Sequence, residues 1–351
     1  MKKLVLILGL ATTIFSCGHS SKENEVSTID RKIQTIVDSA LLKRLVAENA
    51  LYGQTIVMET STGRIKAISG FVHTDSGYNK SSDIYANQEE TGITKLASYL
   101  AALETGKFFI HDSIDTGNGI FSIHGGLMRD HNWRRGGFGK ISYEYGLLHH
   151  SNIACYNAVR SAFGDDCDGF VTQLKKMSYG KPDSIVGIKN LPIASFSSDN
   201  TKIKGVWQTL GNEQQIAPIQ ILAFFNAIAN DGKMVVPQLY EREITVINSQ
   251  IASRENILLL KSVMNKLMNE GKVRLCKPQR VSAACYYDHV QLISYHKNQI
   301  DKTNYKLDFC GYFPANNPHY TVMVSYVKPN LPVTAIQAGK IFKEISDSVE
   351  K

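Results

Sequence analysis

The chain has 351 residues, of which 43% are apolar and 20% charged, and it carries a formal net charge of +7. This length and apolar content allow one large core, or two lobes that share one. The basic residues are spread along the chain, which argues against a nucleic-acid partner, and we find no repeat at a fixed period.

The N-terminal residues 1–17 have the features of a bacterial lipoprotein signal. Two lysines precede an apolar run at 4–15, which is too short to span a bilayer stably. The ending IFSC resembles a lipobox, in which the thiol of the cysteine, here Cys17, is lipidated. We therefore predict that residues 1–16 are removed and that acyl chains anchor the protein to a membrane, with its domain outside the cytoplasm. A plain signal peptide with an incidental cysteine is the alternative.

The segment after the signal is polar. Residues 18–30 are nearly free of large apolar side chains, which is typical of a flexible tether. The predicted organisation is a signal at 1–17, a polar tether and lead-in at 18–45, and one domain at 46–351.

Cysteine usage does not indicate a disulfide framework or a zinc site. Without Cys17, five cysteines remain, an odd number, and no Cys-x-x-Cys occurs. Cys310 lies in an apolar, strand-like run and is most simply a small core residue. One disulfide stays open as an alternative in an oxidising compartment.

The first half of the chain predicts a hairpin followed by helices. Residues 54–71 alternate around the turn STG, which indicates two paired strands. Apolar residues at helical spacing predict a helix over 95–105, and a Gly-rich surface excursion follows at 111–139. Helical pattern returns over 142–162, where Gly146 indicates either a break or close packing.

The second half adds two more helices, three strands and a last helix. The helices are predicted at 217–231 and 254–270, the strands at 280–287, 289–296 and 320–327, and the last helix at 333–349. This order predicts an α/β fold with a largely antiparallel sheet flanked by helices and one inserted helical lobe.

Four segments of the chain, taken together and in order, carry a family resemblance: VMETSTGRIKAISG, GLLHHSNIA, TLGNEQQIAPIQILAFFNAIANDGKMVVPQL and FCGYFPANNPHYTVMVSYVKP. In this order they resemble the transpeptidase domain of class B penicillin-binding proteins. The resemblance extends from about residue 50 to 345 and implies the penicillin-binding-protein fold. It also implies acyl transfer on peptidoglycan stem peptides, in which a serine attacks the D-Ala-D-Ala carbonyl.

The catalytic motifs of that family are incomplete in this chain. In the Ser-x-x-Lys motif, Lys95 is present, but Gly92 stands at the serine position. In Ser-x-Asn, Asn152 is present and His150 replaces the serine. The Lys-Thr-Gly motif is absent, and our best alignment places residues 284–286 on it, within a residue or two.

The residues aligned with the third motif are Ala284, Cys285 and Tyr286, and we interpret them as vestigial positions of that motif. The resemblance thus implies an inactive relative, in which Lys95 would be paired or solvated and would hydrogen-bond Asn152 across the former cleft.

A rearranged nucleophile is the alternative. Thr91 is one residue out of register and is more simply an N-cap, and Thr94 flanks the empty position on its other side. Cys285 would need a base such as His150 or His289.

Other polar residues have two interpretations each. His124, His131 and Asp130 share a Gly-rich loop and suggest a weak metal site, although loop polarity explains them equally. His149 and His150 are adjacent and, on a helix, point too far apart to share an ion. Residues 133–135, Trp-Arg-Arg, suggest contact with a glycan or an anion, or an ordinary surface loop.

We therefore predict a cell-envelope lipoprotein with a transpeptidase-like domain that is catalytically inactive. Its expected role is binding or scaffolding, with peptidoglycan stem peptides or a cell-wall protein complex as partners. We predict no cofactor and no metal. The alternative is an active peptidoglycan D,D-transpeptidase or carboxypeptidase with a rearranged nucleophile.

Overall fold

A six-stranded antiparallel sheet is the centre of the computed structural model, which describes residues 25–123, 126–197, 206–296 and 299–350. The order of its strands is β12-β13-β14-β1-β2-β3. These strands are β1 (Tyr52–Glu59), β2 (Ile65–Thr74), β3 (Gly77–Lys80), β12 (Ala284–His296), β13 (Gln299–Phe313) and β14 (Tyr320–Lys328). Strands from the two ends of the chain therefore meet at β1 and β14, which explains why the domain needs nearly the whole sequence.

Short strands and helices make up the rest of the fold. The short strands are β4 (Ser113–Asp115), β5 (Ile120–Ile123), β6 (Gly126–Arg129), β7 (Lys140–Ser142), β8 (Ser195–Phe196), β9 (Gln214–Gln215), β10 (Met234–Val235) and β11 (Val246–Asn248). The α-helices are α1 (Arg31–Glu48), α2 (Thr94–Leu103), α3 (Tyr143–Leu148), α4 (Asn152–Phe163), α5 (Cys167–Lys176), α6 (Pro218–Ala229), α7 (Arg254–Glu270) and α8 (Ala335–Val349). Short 3₁₀ helices occur at Asp83–Ala86, Trp133–Arg135 and Lys272–Cys276.

Helices cover both faces of the sheet. Helices α1 and α8 pack on each other and on one face, whereas α6 and α7 pack on the other face. Helix α2 is buried at all ten positions, between α4, α5 and α7. The predicted α/β class and the largely antiparallel sheet are confirmed.

The predicted hairpin is present as β1 and β2, and its turn depends on a glycine. Gly63 has φ +80, a conformation that side chains disfavour. A Cβ at Gly63 would also lie 2.4 Å from the carbonyl oxygen of Val236. Both backbone conformation and space therefore require glycine at this turn.

The chain before the hairpin differs from the predicted polar lead-in. Residues 31–48 form α1, and Asp30 accepts hydrogen bonds from the backbone N–H groups of Lys32 and Ile33 at 2.8 and 3.1 Å. The helix buries five residues at helical spacing: Ile33, Val37, Ala40, Leu41 and Leu45. Thr28, within the predicted flexible tether, is buried too, and its hydroxyl oxygen lies 2.8 and 2.9 Å from the carbonyl oxygens of Ile65 and Gln238. Residues 1–24, including Cys17 and the predicted signal, lie outside the described residues.

The helix predicted over 142–162 is two helices, α3 and α4. The break falls at His150, whose φ is +56, and Ser151 caps α4 by accepting a hydrogen bond from the N–H of Ala154. Gly146 marks close packing, because a Cβ there would lie 2.5 Å from the Cβ of Ala154. The bend places His150 beside Asp288 and Tyr287 of β12.

The two strands predicted at 280–287 and 289–296 are one continuous strand, β12. Its partner β13 begins at residue 299, and only its last part, with Cys310, was indicated by the sequence. In this pairing Asp288 lies directly opposite Asp308. Two acidic residues thus occupy facing positions in a largely buried part of the sheet.

Candidate functional site

The N-terminal end of α2 lies against the edge strand β12, at the place where the family resemblance puts the first motif. The Nζ of Lys95 donates a hydrogen bond to Oδ2 of Asp288 at 2.6 Å. The two side chains are only 8% and 6% exposed. Of the two predicted states, paired or solvated, Lys95 is therefore paired, and its partner is Asp288, which no sequence motif indicated.

Gly92 lies beside this ion pair and leaves room for it. A Cβ added to Gly92 would be 2.7 Å from Cγ and 2.8 Å from Oδ2 of Asp288. Any side chain at residue 92 would therefore meet the carboxyl group of Asp288. The space in which a serine side chain would begin is occupied by an acidic group from the neighbouring strand.

Asp288 is ionised in this environment. Burial opposes its ionisation, but the nearby charge of Lys95, with a smaller contribution from His150, outweighs burial and lowers the pKa of Asp288 to about 2. The carboxylate and the ammonium group of Lys95 thus form a buried ion pair. Breaking such a pair by removing one partner is costly, because the other charge stays buried.

His150, at the second motif, packs against the same carboxylate. Burial lowers the pKa of His150 to about 3, and the opposing effect of Asp288 does not compensate. The contact between its Nδ1 and Oδ2 of Asp288, at 3.9 Å, therefore joins a carboxylate to a neutral imidazole at neutral pH. Neither ring nitrogen has a hydrogen-bond partner among the described residues. The ring packs between Tyr286 and Tyr287, with centroid distances of 5.2 and 4.3 Å.

Asn152 aligns with the asparagine of the second motif in our sequence prediction, and we expected it to bond to Lys95, but it does not. Its side-chain amide donates to the carbonyl of Arg129 at 2.9 Å. The preceding Ser151 donates to Oδ2 of the buried Asp130 at 2.8 Å. Residues 151 and 152 therefore attach α4 to the strand β6 and the loop after it, whereas Lys95 pairs with Asp288.

The residues aligned with the third motif are buried, and the residue that meets Lys95 lies beyond them. Ala284, Cys285 and Tyr286 are each 0% exposed. Because side chains alternate along a strand, Tyr286 and Asp288 share one face and Cys285 belongs to the other. The strand position that reaches the first motif is thus two residues after Tyr286.

A second buried ionic cluster holds the chain just before α2. Lys306 of β13 lies 3.5 Å from Oε2 of Glu89 and 3.7 Å from Oδ2 of Asp308. Thr91 donates its hydroxyl proton to Asp308 at 2.6 Å. The predicted N-cap role of Thr91 is therefore wrong, because its hydroxyl bonds to a strand residue instead of the helix backbone.

The alternative nucleophiles are all engaged or enclosed. Thr94 is buried and its hydroxyl lies 2.6 Å from that of Tyr179. Burial raises the pKa of the Cys285 thiol well above its ordinary value, which disfavours the thiolate that acts as a nucleophile. Thr91 is fully buried against Asp308.

The described side chains of the predicted weak metal site have other contacts. His124 lies outside the described residues, and the ring of His131 contacts Phe138 with centroids 5.6 Å apart. His149 stacks on Tyr145 at 4.0 Å. Asp130 is committed to Ser151 and to the backbone N–H of Ile153. Within the described ranges no group of three or more metal-ligating side chains occurs, and the cysteines found there are free thiols.

Comparisons with known proteins concern the fold and the family. The sequence model described as the penicillin binding protein transpeptidase domain matches residues 53–347. No curated protein sequence matches the chain. The sequence evidence for the family is thus the match of the family model itself.

Three solved structures share this fold but have low sequence identity to this chain. The transpeptidase domain of penicillin-binding protein 3 from Burkholderia pseudomallei is 17% identical, has a TM-score of 0.78, and the match covers 93% of this chain and 96% of that chain. A protein described as a peptidoglycan glycosyltransferase from Burkholderia ambifaria is 19% identical, with a TM-score of 0.76 and coverage of 92% and 96%. Penicillin-binding protein 2B from Streptococcus pneumoniae is 15% identical, with a TM-score of 0.80, and coverage is 93% of this chain and 59% of that chain.

Proposed function

Because the chain belongs to the family of penicillin-binding-protein transpeptidase domains, we propose that it is a non-acylating member. In this proposal it acts outside the cytoplasm as a peptidoglycan-associated binding or scaffold protein. The observation that carries the proposal is the carboxylate of Asp288, which fills the space beside Gly92 and binds Lys95.

Acyl transfer needs a nucleophile and a base that can reach its proton. Gly92 supplies no hydroxyl, and Lys95 donates to a buried carboxylate instead of facing a free oxygen. A negative charge at this point would also repel the oxyanion that develops during attack on a carbonyl. The nucleophile, a free base and a favourable environment for the oxyanion are therefore all missing beside Gly92.

The rearranged-nucleophile alternative receives little support from the neighbouring side chains. Thr91 and Thr94 are buried and hydrogen-bonded to Asp308 and Tyr179. Cys285 is buried, on the strand face opposite to that of Asp288. Each would need displacement from its partners before it could attack a substrate.

The test is the mass of the intact protein after incubation with benzylpenicillin, which acylates a competent serine or cysteine in this fold. We expect no penicilloyl adduct on the wild type or on Cys285→Ala. A stoichiometric mass increase would overturn the proposal, and peptide mapping of the adduct would identify the nucleophile. If the adduct disappeared in Cys285→Ala alone, Cys285 would be that nucleophile.

A matched variant tests whether the serine alone is missing. We expect Gly92→Ser to remain unacylated, because its side chain would meet Asp288 and because Lys95 stays paired. The double variant Gly92→Ser/Asp288→Ala removes both obstacles and is the informative comparison. Efficient acylation of Gly92→Ser by itself would show that Asp288 does not block the site.

The membrane anchor is part of the same proposal and rests on the sequence of residues 1–17. In the described ranges no helix combines the length and apolarity needed to cross a bilayer. We propose attachment through acyl chains on Cys17. The expected result is that Cys17→Ala releases the protein from membranes, whereas an intact Met1 on the mature protein would contradict lipidation.

A further inference from the structure

A group of cationic and aromatic side chains lies on the surface beside the second-motif position, outside the buried ion pair. We call Arg129, Trp133, Arg134 and Arg135 the arginine–tryptophan patch. The guanidinium carbons of Arg129 and Arg134 lie 5.3 and 5.1 Å from the centre of the Trp133 ring. The three arginines are exposed and the tryptophan is half-buried.

Hydrogen bonds fix the backbone of the patch to the beginning of α4. The backbone N–H of Trp133 donates to the carbonyl of Asp130 at 3.1 Å. The side chain of Asp130 turns inward and accepts from Ser151 and from the N–H of Ile153. Asn152 holds the carbonyl of Arg129. The arginines therefore start from a fixed backbone, so less conformational entropy is lost when they bind a ligand.

The described residues contribute no counter-charge to the patch. Among the residues that the structure describes, none forms an ion pair with Arg129, Arg134 or Arg135. The nearest acidic residue in sequence, Asp130, is 0% exposed and committed to α4. Three exposed guanidinium groups on one short segment repel one another, so an anionic ligand would stabilise the arrangement.

The chemistry of the patch favours carboxylates over sugars. The face of an aromatic ring is the part that stacks on a sugar, and here arginines already cover the Trp133 ring. Each guanidinium group can hold a carboxylate through two parallel hydrogen bonds. Tryptophan and arginine are also the residues most enriched among those that dominate protein–protein binding energies.

A membrane surface fits less well than a protein. Interfacial binding requires a broad apolar face, and among the described residues of the hairpin formed by β5 and β6 the large exposed apolar side chain is Leu127, at 48%. We propose that the arginine–tryptophan patch docks a carboxylate-rich segment of a protein partner, with Leu127 as an apolar contact at its edge. This inference goes beyond the proposed function and uses none of the residues that block the cleft.

The test uses the complete chain and a fluorescein-labelled peptide, Glu-Glu-Leu-Glu-Glu, followed by fluorescence anisotropy at physiological ionic strength. Arg129→Glu and Arg134→Glu are compared with Arg254→Glu, a charge reversal at an exposed residue that begins α7. We expect about tenfold weaker binding for each patch variant and less than about a twofold change for Arg254→Glu. Circular dichroism checks that all three variants fold.

Three results would overturn the inference. The first is no binding of the peptide by the wild type, and the second is equal weakening by all three charge reversals. The third is tighter, patch-dependent binding to vesicles of phosphatidylglycerol and phosphatidylcholine than to the peptide, which would assign the patch to a lipid surface. A penicilloyl adduct in the mass experiment would overturn the proposed function and leave this inference standing, so the two fail separately.

Discussion

Two buried lysine–aspartate clusters lie side by side in this domain, and they are built differently. Asp288 and Asp308 face each other across β12 and β13. Asp288 binds Lys95 directly at 2.6 Å, whereas Asp308 lies 3.7 Å from Lys306 and accepts its short hydrogen bond from Thr91. Facing residues of the same type therefore have different partners.

The electrostatic consequence is opposite in the two clusters. The ion pair with Lys95 lowers the pKa of Asp288 to about 2. Burial raises the pKa of Asp308, and Lys306 and Thr91 only partly offset that effect. A direct charged hydrogen bond thus compensates burial, while a looser arrangement does not.

The number of acceptors around each lysine differs as well. Lys306 also approaches Glu89 at 3.5 Å and the carbonyl of Glu90 at 3.3 Å. Among the described residues, Asp288 is the one carboxylate within 4.0 Å of Lys95. The ammonium group of Lys95 therefore depends on a single carboxylate, whereas that of Lys306 does not. Four predictions test this difference.

The largest effect is expected for Asp288→Ala, because it leaves Lys95 buried without its carboxylate. We expect a loss of about 3–5 kcal/mol in the free energy of unfolding. Urea denaturation, followed by circular dichroism, measures it. The double variant Lys95→Met/Asp288→Leu should recover most of the loss, because two well-packed apolar side chains need no compensation. A double variant as unstable as Asp288→Ala would contradict the proposed ion pair.

A smaller loss is expected for Asp308→Ala. Thr91 loses its acceptor, but Lys306 keeps Glu89 and the carbonyl of Glu90, so the cost should be about 2–3 kcal/mol. The same denaturation experiment compares it with Asp288→Ala. If Asp308→Ala were the more destabilising of the two, the contrast between the clusters would be wrong.

Filling the space at Gly92 should also destabilise the protein. A Cβ there requires the carboxyl of Asp288 to move, so we expect Gly92→Ala to cost about 1–3 kcal/mol. Gly126→Ala is the matched control, because the nearest atom to its added Cβ is 3.6 Å away. The cost of Gly92→Ala should fall in the Asp288→Ala background. Equal costs in both backgrounds would show that Asp288 does not limit the space.

Acid should weaken the domain through His150. Its folded-state pKa of about 3 lies below its ordinary value of 6.5, so the unfolded chain binds the proton more readily between these values. Stability should therefore fall as the pH decreases below about 6.5, by up to about 1.4 kcal/mol per pH unit from this residue. Asp288 adds a loss in the same direction between its ordinary pKa of 3.8 and about 2.

The measurement is the difference in unfolding free energy between pH 6.5 and 5.5, for the wild type and for His150→Asn. Asparagine tolerates the left-handed backbone at this position and does not titrate. A pH dependence that is unchanged in His150→Asn would assign the acid sensitivity to other groups.

Local pattern in the sequence predicted much of the fold. Helix α7 has the predicted bounds, 254–270, and the hairpin of β1 and β2 was indicated by alternation around a Gly-containing turn. These elements depend on neighbouring residues, so periodicity suffices to find them. Helix α1 was missed, because its five buried apolar residues lie at helical spacing among many polar ones and the overall composition of the segment is polar.

The strand β12 shows where local pattern was insufficient. It was predicted as two strands, 280–287 and 289–296, with the break at Asp288. An aspartate within a strand is unfavourable unless a partner compensates its burial, and the sequence does not display that partner. The sequence showed only an acidic residue between two strand-like runs, and the structure shows that this residue, Asp288, is buried against Lys95.

The sequence by itself determined that residue 92 is a glycine, which has no nucleophilic side chain, and that the Lys-Thr-Gly motif is absent. Only the tertiary structure decided that the carboxylate of Asp288 occupies the space beside Gly92 and binds Lys95. Lys95 and Asp288 are 193 residues apart in the chain, and they meet because the sheet brings β12 beside the beginning of α2. Contacts of this kind depend on how strands pair and helices pack over the whole domain, and no local periodicity encodes them.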